Sequence, residues 1–142
     1  MNISEILSRK GTSVVTTSPD ATVGDVVALL AEHRIGAVPV VAGAHVTGIV
    51  SERDVVRQLA ASGSDVLTMS VSELMTVDLV TASPSDSLDA TASLMTDRRI
   101  RHLPVLSDGE LAGIVTIGDV VAARLRELET TREQLENYIT QG

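Results

Sequence analysis

The chain has 142 residues, a net charge of −8 and no cysteine, tryptophan or phenylalanine. We exclude a nucleic-acid partner, because a phosphate backbone attracts cationic surfaces and single strands commonly stack on aromatic rings, of which Tyr138 is the only one. The lack of cysteine excludes disulfides, thiolate metal sites and a cysteine nucleophile. No apolar stretch approaches the roughly 20 residues of a bilayer span, and the first seven residues lack the basic-then-apolar order of a signal peptide. We therefore expect a soluble cytoplasmic protein with no membrane association.

The sequence contains an internal repeat with an offset of 65 residues. Residues 35–40 match residues 100–105, and Gly48-Ile49-Val50-Ser51 matches Gly113-Ile114-Val115-Thr116. The opening segments, residues 4–7 and 72–75, are 68 apart, so the first copy has three extra residues before its first strand. Several matched blocks in one order indicate two copies of the same structural unit.

Each copy is predicted to form a strand, a helix, two strands and a second helix. Thr22 and Ser87 are predicted N-caps, and Asp25 completes a capping box with Thr22. An apolar stripe at helical spacing follows each cap. Its members are Val23, Val26, Val27 and Leu30 in the first copy, and Leu88, Ala92 and Met95 in the second.

Two short runs rich in β-branched residues follow, at 38–41 and 46–50 in the first copy, and they predict a hairpin. Gly43 in the first copy and Asp108-Gly109 in the second mark the turns. Pro39 and Pro104 each remove a backbone donor, so their strands should be short or lie at an edge. A second helix is predicted after Ser51 and after Thr116, and residues 60–70 resemble a linker.

The predicted fold class is α/β, with two repeats packed as a pseudo-twofold pair and a C-terminal helical extension. We assign residues 1–61 to the first repeat, 62–71 to a linker, 72–129 to the second repeat and 130–142 to the tail. One repeat of about 60 residues would be marginal alone, so ligand clefts are expected where the copies meet. The tail carries an apolar seam interrupted by Arg132, and it predicts either a helix lying on its own domain or a partner-binding helix. The seam consists of Val121, Leu125, Leu128, Leu135 and Ile139.

A repeated motif, Gly-Ile-Val-[Ser/Thr]-x-x-Asp, ends at Asp54 and at Asp119. One interpretation is structural: Ser51 or Thr116 caps a helix and the aspartate reaches back as the partner of a capping box. The other is functional, because a strand that ends at a helix N-terminus presents N–H groups to an anion. A carboxylate one turn further on can accept the hydroxyls of a ribose, as in dinucleotide sites.

This motif, with the preceding apolar-Pro-Val segment, resembles the CBS domain family, whose tandem pairs are called Bateman modules. The resemblance extends from about residue 3 to about residue 125. It implies a regulatory module that binds an adenosine compound such as AMP, ADP, ATP, NAD or S-adenosylmethionine, with no catalytic cofactor. Carried over by motif position, Asp54 with Ser51, and Asp119 with Thr116, would hold ribose or phosphate. Thr16 and Thr81 match positions that line the adenine pocket.

A basic run, residues 98–102, precedes Leu-Pro-Val in the second copy. Cations at the end of a helix complement its dipole, which accounts for the first two arginines. The resemblance implies a phosphate-binding role for Arg101 and His102, and the planar guanidinium suits a phosphate. We expect both to share a cleft with Asp119. The first copy has Gly36-Ala37 at those positions and Arg53 where the second has Gly118, so the clefts should bind unequally.

We predict that the protein is not an enzyme, since no nucleophile with a base and an orienting residue is visible. His33 and His45 are predicted surface residues without metal-ligand spacing, so no metal site is expected. Apolar helix faces such as Val55-Val56-Leu59 and Val120-Val121 predict a homodimer, and the regulated protein partner is unknown. Two alternatives stay open: a ligand-free interaction module, in which the aspartates only cap helices, and an enzyme acting on adenosine nucleotides.

Overall fold

The computed structural model describes residues 1–141, and it is a mixed α/β fold built from two similar halves. The fold class predicted from the sequence is confirmed. The first half contains α1 (Ile3–Lys10), α2 (Val23–His33), β1 (Ala37–Ala42), β2 (His45–Ser51) and α3 (Glu52–Ser62). A 3-10 helix (Gly63–Thr68) leads into the second half, which contains α4 (Val71–Leu74), α5 (Leu88–Arg98), β3 (His102–Ser107), β4 (Glu110–Thr116) and α6 (Ile117–Gln141).

Helix α2 begins at the predicted capping box. The Thr22 side chain accepts a hydrogen bond from the Asp25 amide, and the Asp25 carboxylate accepts one from the Thr22 amide. Ser87 caps α5 in the same way, by accepting from the Ala90 amide. Of the predicted stripe on α2, Val23, Val26 and Leu30 are buried, whereas Val27 is exposed. These caps satisfy backbone donors that have no partner within a helix, so the two helices begin where the sequence predicts.

Each half contains a two-stranded antiparallel sheet. Val38 pairs with Val50 in the first sheet, and Leu103 pairs with Val115 at the equivalent place in the second. Each hairpin turns through residues with positive φ: Gly43 at 62° in the first, and Asp108 and Gly109 at 52° and 80° in the second. In both sheets the register shifts by a bulge two positions before the end of the first strand, and a bulge increases the local twist.

The first strand predicted in each copy is reduced to a single parallel bridge. The Thr17 amide donates to the Pro39 carbonyl at 3.0 Å, and the Val41 amide donates back to Thr17 at 2.8 Å. The next step of a parallel ladder would require an amide hydrogen on Pro39, which proline lacks. The second copy behaves in the same way, with Ala82 bridged to the strand that contains Pro104. The prolines therefore limit the sheet to two full strands per half.

The two short opening helices pack on the opposite halves of the molecule. Helix α1 buries Ile3, Ile6 and Leu7 in the core of the second half, together with Leu88 and Leu103. Helix α4 buries Val71 in the core of the first half, which also holds Val26, Val38, Val40 and Val50. Each core is therefore completed by the opening helix of the other repeat.

The opening helices are anchored by equivalent backbone bonds. The amides of Ile3 and Ser4 donate to the carbonyls of Asp86 and Pro84 in the second half, at 3.0 and 2.9 Å. Close packing on the sheets adds to this, because a Cβ at Gly113 would lie 2.6 Å from a Leu7 methyl, and one at Gly48 would lie 2.7 Å from the Met75 sulfur. A side chain at position 113 would displace the Leu7 methyls, and one at position 48 would also meet the Thr76 carbonyl at 2.9 Å, so glycine suits both positions.

Helix α6 is continuous from Ile117 to Gln141, so the second helix of repeat two and the predicted tail form one element. Every described residue from 130 to 141 is exposed. Val120, predicted to lie on an exposed face, is only 4% exposed because it packs into the core of the second half. Its neighbour Val121 is 52% exposed and belongs to the apolar seam along the helix. The segment predicted as a linker is ordered, since α3 extends to Ser62 and the 3-10 helix follows.

Candidate functional site

An open cleft lies where the two halves meet, and both repeats contribute to it. The first half supplies the start of β1, the end of β2 and the first turn of α3, and the second half supplies the loop from α5 into β3. The side chains and backbone that line it are Gly36, Ala37, Ile49, Ser51, Glu52, Arg53, Asp54, Thr76, Arg99, Ile100, Arg101 and His102.

The capping box of α3 forms one wall of this cleft. The Asp54 Oδ2 accepts from the Ser51 amide at 2.9 Å and from the Ser51 hydroxyl at 3.0 Å, and the Asp54 amide donates to the Ser51 Oγ at 3.2 Å. No hydrogen bond to Asp54 Oδ1 occurs within residues 1–141. The structural and the functional interpretations of the motif are therefore compatible, since Oδ2 caps the helix while Oδ1 remains able to accept from a ligand.

Three arginines bring positive charge to the same cleft. Arg53 extends from α3, whereas Arg99 and Arg101 belong to the α5–β3 loop. Arg99 ends α5 in the left-handed conformation, with φ at 54°, and so turns the chain toward β3. None of the three forms an ion pair within residues 1–141. In a chain with a net charge of −8, this unpaired local excess of cations favours an anionic ligand.

His102 lies at the back of the cleft, close to the other half of the molecule. A Cβ added at Gly36 would lie 2.9 Å from its Nε2, so only glycine at position 36 allows the imidazole this position. Burial lowers the pKa of His102 below its ordinary value of 6.5; the charges of Glu52 and Asp119 oppose this effect, and those of Lys10 and Arg101 add to it. This direction favours the neutral ring, which can donate one hydrogen bond and accept another.

The equivalent motif in the second half makes different contacts. The Thr116 amide donates to Asp119 Oδ2 at 2.9 Å, and the Asp119 amide donates to Thr116 Oγ1 at 3.2 Å, as in the first half. In addition, the Lys10 ammonium lies 2.7 Å from the same carboxylate oxygen and 2.9 Å from the Ile114 carbonyl. Burial alone would raise the pKa of Asp119, but the hydrogen bonds from Lys10 and Thr116 and the charge of Lys10 together lower it below its ordinary value.

The structure groups the predicted site residues differently from the sequence analysis. Arg101 and His102 were expected to share a cleft with Asp119, yet they line the cleft of Asp54. The reason is that the α5–β3 loop of one half faces the β2–α3 junction of the other across the pseudo-twofold axis. Ser51 and Arg53 lie in this same cleft.

The other predicted residues are not among those that line this cleft. Thr116 and Asp119 are at the start of α6 beside Lys10. Thr16 and Thr81 each precede the residue that forms the single parallel bridge, and neither lines the cleft of Asp54. Their assignment to an adenine pocket stays a prediction.

Several residues of the site were not predicted from the sequence. Glu52 and Arg99 are adjacent to motif residues that were singled out, so their proximity to the cleft could have been inferred. Thr76 enters the cleft because its backbone bridges Ile49, with N–O distances of 2.9 and 3.0 Å. Only one sequence feature pointed to Lys10, namely the three extra residues in the opening of the first repeat.

Among residues 1–141, no group of three or more His, Asp or Glu side chains is placed to hold a metal ion. No helix of that same range combines the length and the apolar character that a membrane crossing requires.

Comparison with curated proteins gives relatives over nearly the whole chain. CBS domain-containing protein YhcV of Bacillus subtilis is 34% identical over 123 residues, which is 87% of this chain and 87% of that protein. The mitochondrial CBS domain-containing protein CBSX3 of Arabidopsis thaliana is 35% identical over 149 aligned positions, covering 99% of this chain and 72% of that protein. These relatives match the chain across both repeats.

Solved structures share the fold. The CBS-domain containing protein ATU1752 from Agrobacterium tumefaciens superposes with a TM-score of 0.85 at 42% identity, covering 87% of this chain and 99% of that one. The CBS domain pair of protein MJ0100, in complex with methylthioadenosine and S-adenosyl-L-methionine, gives a TM-score of 0.77 at 24% identity, covering 87% and 98%. The model of the CBS domain family matches residues 3–61 and again residues 71–126. The chain therefore belongs to the CBS domain family and contains a tandem pair of these domains.

Proposed function

We propose that this CBS pair is a regulatory module that binds a phosphate-bearing adenosine nucleotide in the cleft of Asp54. The observation that carries the proposal is the composite cleft itself. It places a carboxylate with an unused oxygen beside three unpaired arginines contributed by both repeats. A carboxylate can accept both hydroxyls of a ribose, and a guanidinium binds a phosphate through charge-assisted, often bidentate, hydrogen bonds.

The shared fold supports an adenosine compound as the ligand. The CBS pair of MJ0100 was crystallised with two adenosine derivatives, and it shares this architecture. The cleft joins the two repeats, so an occupied cleft would tie the α5–β3 loop to α3. Binding energy that depends on the relative position of two elements shifts their equilibrium, and a partner protein or a second copy would respond to that shift.

The proposal is tested by measuring thermal unfolding with AMP, ADP, ATP, NAD and S-adenosylmethionine, and with adenosine as the control that lacks phosphate. A ligand at a hundredfold excess over its Kd stabilises the folded state by about 2.7 kcal/mol. We expect at least one phosphate-bearing nucleotide to raise the melting temperature more than adenosine does. If none of the compounds changes it at millimolar concentration, the proposal is wrong.

A ligand-free interaction module is the second candidate, and one specific observation favours it. Both aspartates form capping boxes, so helix capping alone accounts for Ser51-Asp54 and Thr116-Asp119. It does not account for the unpaired arginines of the first cleft. An Asp54→Ala variant that loses stability without any change in nucleotide response would support this second candidate.

We also propose that the module binds and does not catalyse. The cleft holds carboxylates, arginines and His102, and its serine hydroxyl donates to Asp54, which already caps the helix. Incubation of the protein with each nucleotide, followed by chromatography, tests this directly. Product formation faster than the blank would make the protein an enzyme.

We propose a homodimer, since apolar side chains remain exposed on both terminal helices of the repeats. Val56 and Leu59 on α3 are 62% and 46% exposed, and α6 presents an exposed apolar stripe consisting of Val121, Leu125, Leu128, Leu135 and Ile139. Closed twofold dimers are the commonest assemblies that bury such faces. Light scattering at micromolar concentration should give twice the chain mass, and a monomer mass would refute the dimer. The cytoplasmic location stays a prediction.

A further inference from the structure

We infer that Lys10 closes the second ligand position of the pair, so that each chain has one open nucleotide site and one that its own first helix occupies. The inference rests on the proposed function, because it concerns which of two equivalent positions a nucleotide can enter. It explains the unequal clefts by a side chain outside the repeated motifs.

The contacts of Lys10 span the place that the ligand would take. Its ammonium donates to the Asp119 carboxylate at 2.7 Å and to the carbonyl of Ile114, at the end of β4, at 2.9 Å. The two side chains are 31% and 24% exposed, so the pair is shielded from water on most sides. The carboxylate that would accept ribose hydroxyls is therefore paired with a cation through Oδ2, the oxygen that also caps α6.

The first half has no such side chain at the equivalent place. There the carbonyl of Ile49 accepts from the backbone amide of Thr76 at 2.9 Å, and the Asp54 side chain faces an open cleft. No lysine or arginine within residues 1–141 forms an ion pair with Asp54. The same motif thus occurs once with a carboxylate that has no cationic partner and once with a carboxylate bound to the Lys10 ammonium.

The length of α1 explains the difference. Helix α1 has eight residues and α4, its counterpart, has four. The three extra residues of the first repeat extend α1 by almost one turn, and Lys10 is its last residue, followed by Gly11 with φ at 96°. Because Ile3, Ile6 and Leu7 are fixed in the core of the second half, the end of α1 is held beside the start of α6.

The position of Lys10 is not a general effect of surface charge. Arg9 is adjacent on the same helix, yet it forms no ion pair within residues 1–141. It is directed instead toward a shallow groove between α1 and α6. Arg9 therefore provides a matched control, with the same charge in the same turn and no contact with Asp119.

The test counts AMP molecules bound per chain by equilibrium dialysis with the full-length protein, Lys10→Met and Arg9→Met. We expect one AMP per chain for the parent and for Arg9→Met, and two for Lys10→Met. Electrostatics alone predicts the opposite trend, because removing a cation should weaken the binding of an anion. A gain of a site on loss of a positive charge is therefore specific to release of the cleft.

Other results would overturn the inference. Two AMP molecules bound by the parent, with one lost in Lys10→Met, would make Lys10 a phosphate ligand. One molecule bound by all three proteins would refute closure by Lys10 and leave the proposed function intact, whereas no binding of AMP, ADP, ATP or NAD by any of the three proteins would refute both. Carbon-detected NMR of the Asp119 carboxyl serves as a second readout: its pKa should rise in Lys10→Met and stay unchanged in Arg9→Met, and an unchanged pKa in Lys10→Met would refute the contact.

Discussion

Asp54 and Asp119 occupy the same place in two capping boxes, so alanine at each position separates helix capping from ligand binding. Each substitution removes the acceptor of one backbone amide, that of Ser51 or of Thr116. A hydrogen bond of this kind contributes about 1 kcal/mol net to folding. Asp119→Ala also removes the ion pair with Lys10, which adds at most about 1 kcal/mol because both side chains keep some contact with water. We therefore expect Asp119→Ala to lower the free energy of unfolding at least as much as Asp54→Ala.

Nucleotide affinity should follow the opposite order. Loss of hydrogen bonds from a ribose to a charged carboxylate costs about 1.5–3 kcal/mol, which is a decrease in affinity of about 10- to 150-fold. Asp54→Ala should lose this much for AMP and for adenosine alike, because both contain the ribose. Asp119→Ala should leave the affinity for AMP nearly unchanged, since Lys10 already occupies that carboxylate.

Isothermal calorimetry with AMP and adenosine, combined with urea unfolding of the same proteins, measures both quantities. The reasoning is refuted if Asp119→Ala weakens the binding of AMP as strongly as Asp54→Ala does. It is also refuted if Asp54→Ala loses stability and keeps its full affinity, because the aspartate would then only cap α3.

Arg101→Ala should weaken the binding of AMP about tenfold or more and change the binding of adenosine little, because a charge-assisted contact to phosphate is lost. Arg57→Ala is the control, since Arg57 is exposed on α3 outside the cleft. Equal losses of affinity for both ligands in Arg101→Ala would refute the phosphate role. The lowered pKa of His102 means that the unfolded chain binds its proton more readily than the folded one. His102 therefore leaves the free energy of unfolding unchanged above about pH 6.5 and lowers it as the pH falls from that value toward the folded pKa. This loss should be absent in His102→Gln, and the same pH profile in both proteins would contradict burial as the cause. Deletion of residues 130–142 should leave both halves folded by circular dichroism, since residues 130–141 are exposed; an unfolded truncation would place this part of α6 in the core.

Much of the local structure could be predicted from the sequence, because its causes lie within a few residues. The capping box at Thr22 and Asp25, the cap at Ser87 and the hairpin turn at Asp108-Gly109 all occur where their residue types predict. Each depends on hydrogen bonds or backbone angles available to neighbouring residues. The internal repeat, with its motif, likewise led to the CBS family, which the family comparison confirms.

The first strand of each repeat shows how one residue can override a correct local pattern. The runs before Thr17 and before Ala82 are suitable for strands, yet each forms one bridge only. Pro39 and Pro104 were predicted to keep their strands short or at an edge, and the missing amide also prevents the neighbouring parallel strand from extending. This consequence was available in the sequence, but it required knowledge of which strand lies beside which.

The exchange of opening helices and the composition of the cleft were decided by tertiary structure alone. The apolar face of Ile3, Ile6 and Leu7 predicts that α1 is buried, but the two repeats present nearly equivalent sheets, so the pattern of apolar residues fits either one. Burial is not directional, and sequence proximity favours the wrong half. In the folded chain Leu7 packs against Gly113, and Ile3 and Ser4 bond to the backbone of the second half, although the first half offers equivalent partners that α4 uses instead. That choice places Lys10 beside Asp119 and leaves Asp54 open, because a helix anchored in the core holds its last residue at a fixed distance from its first.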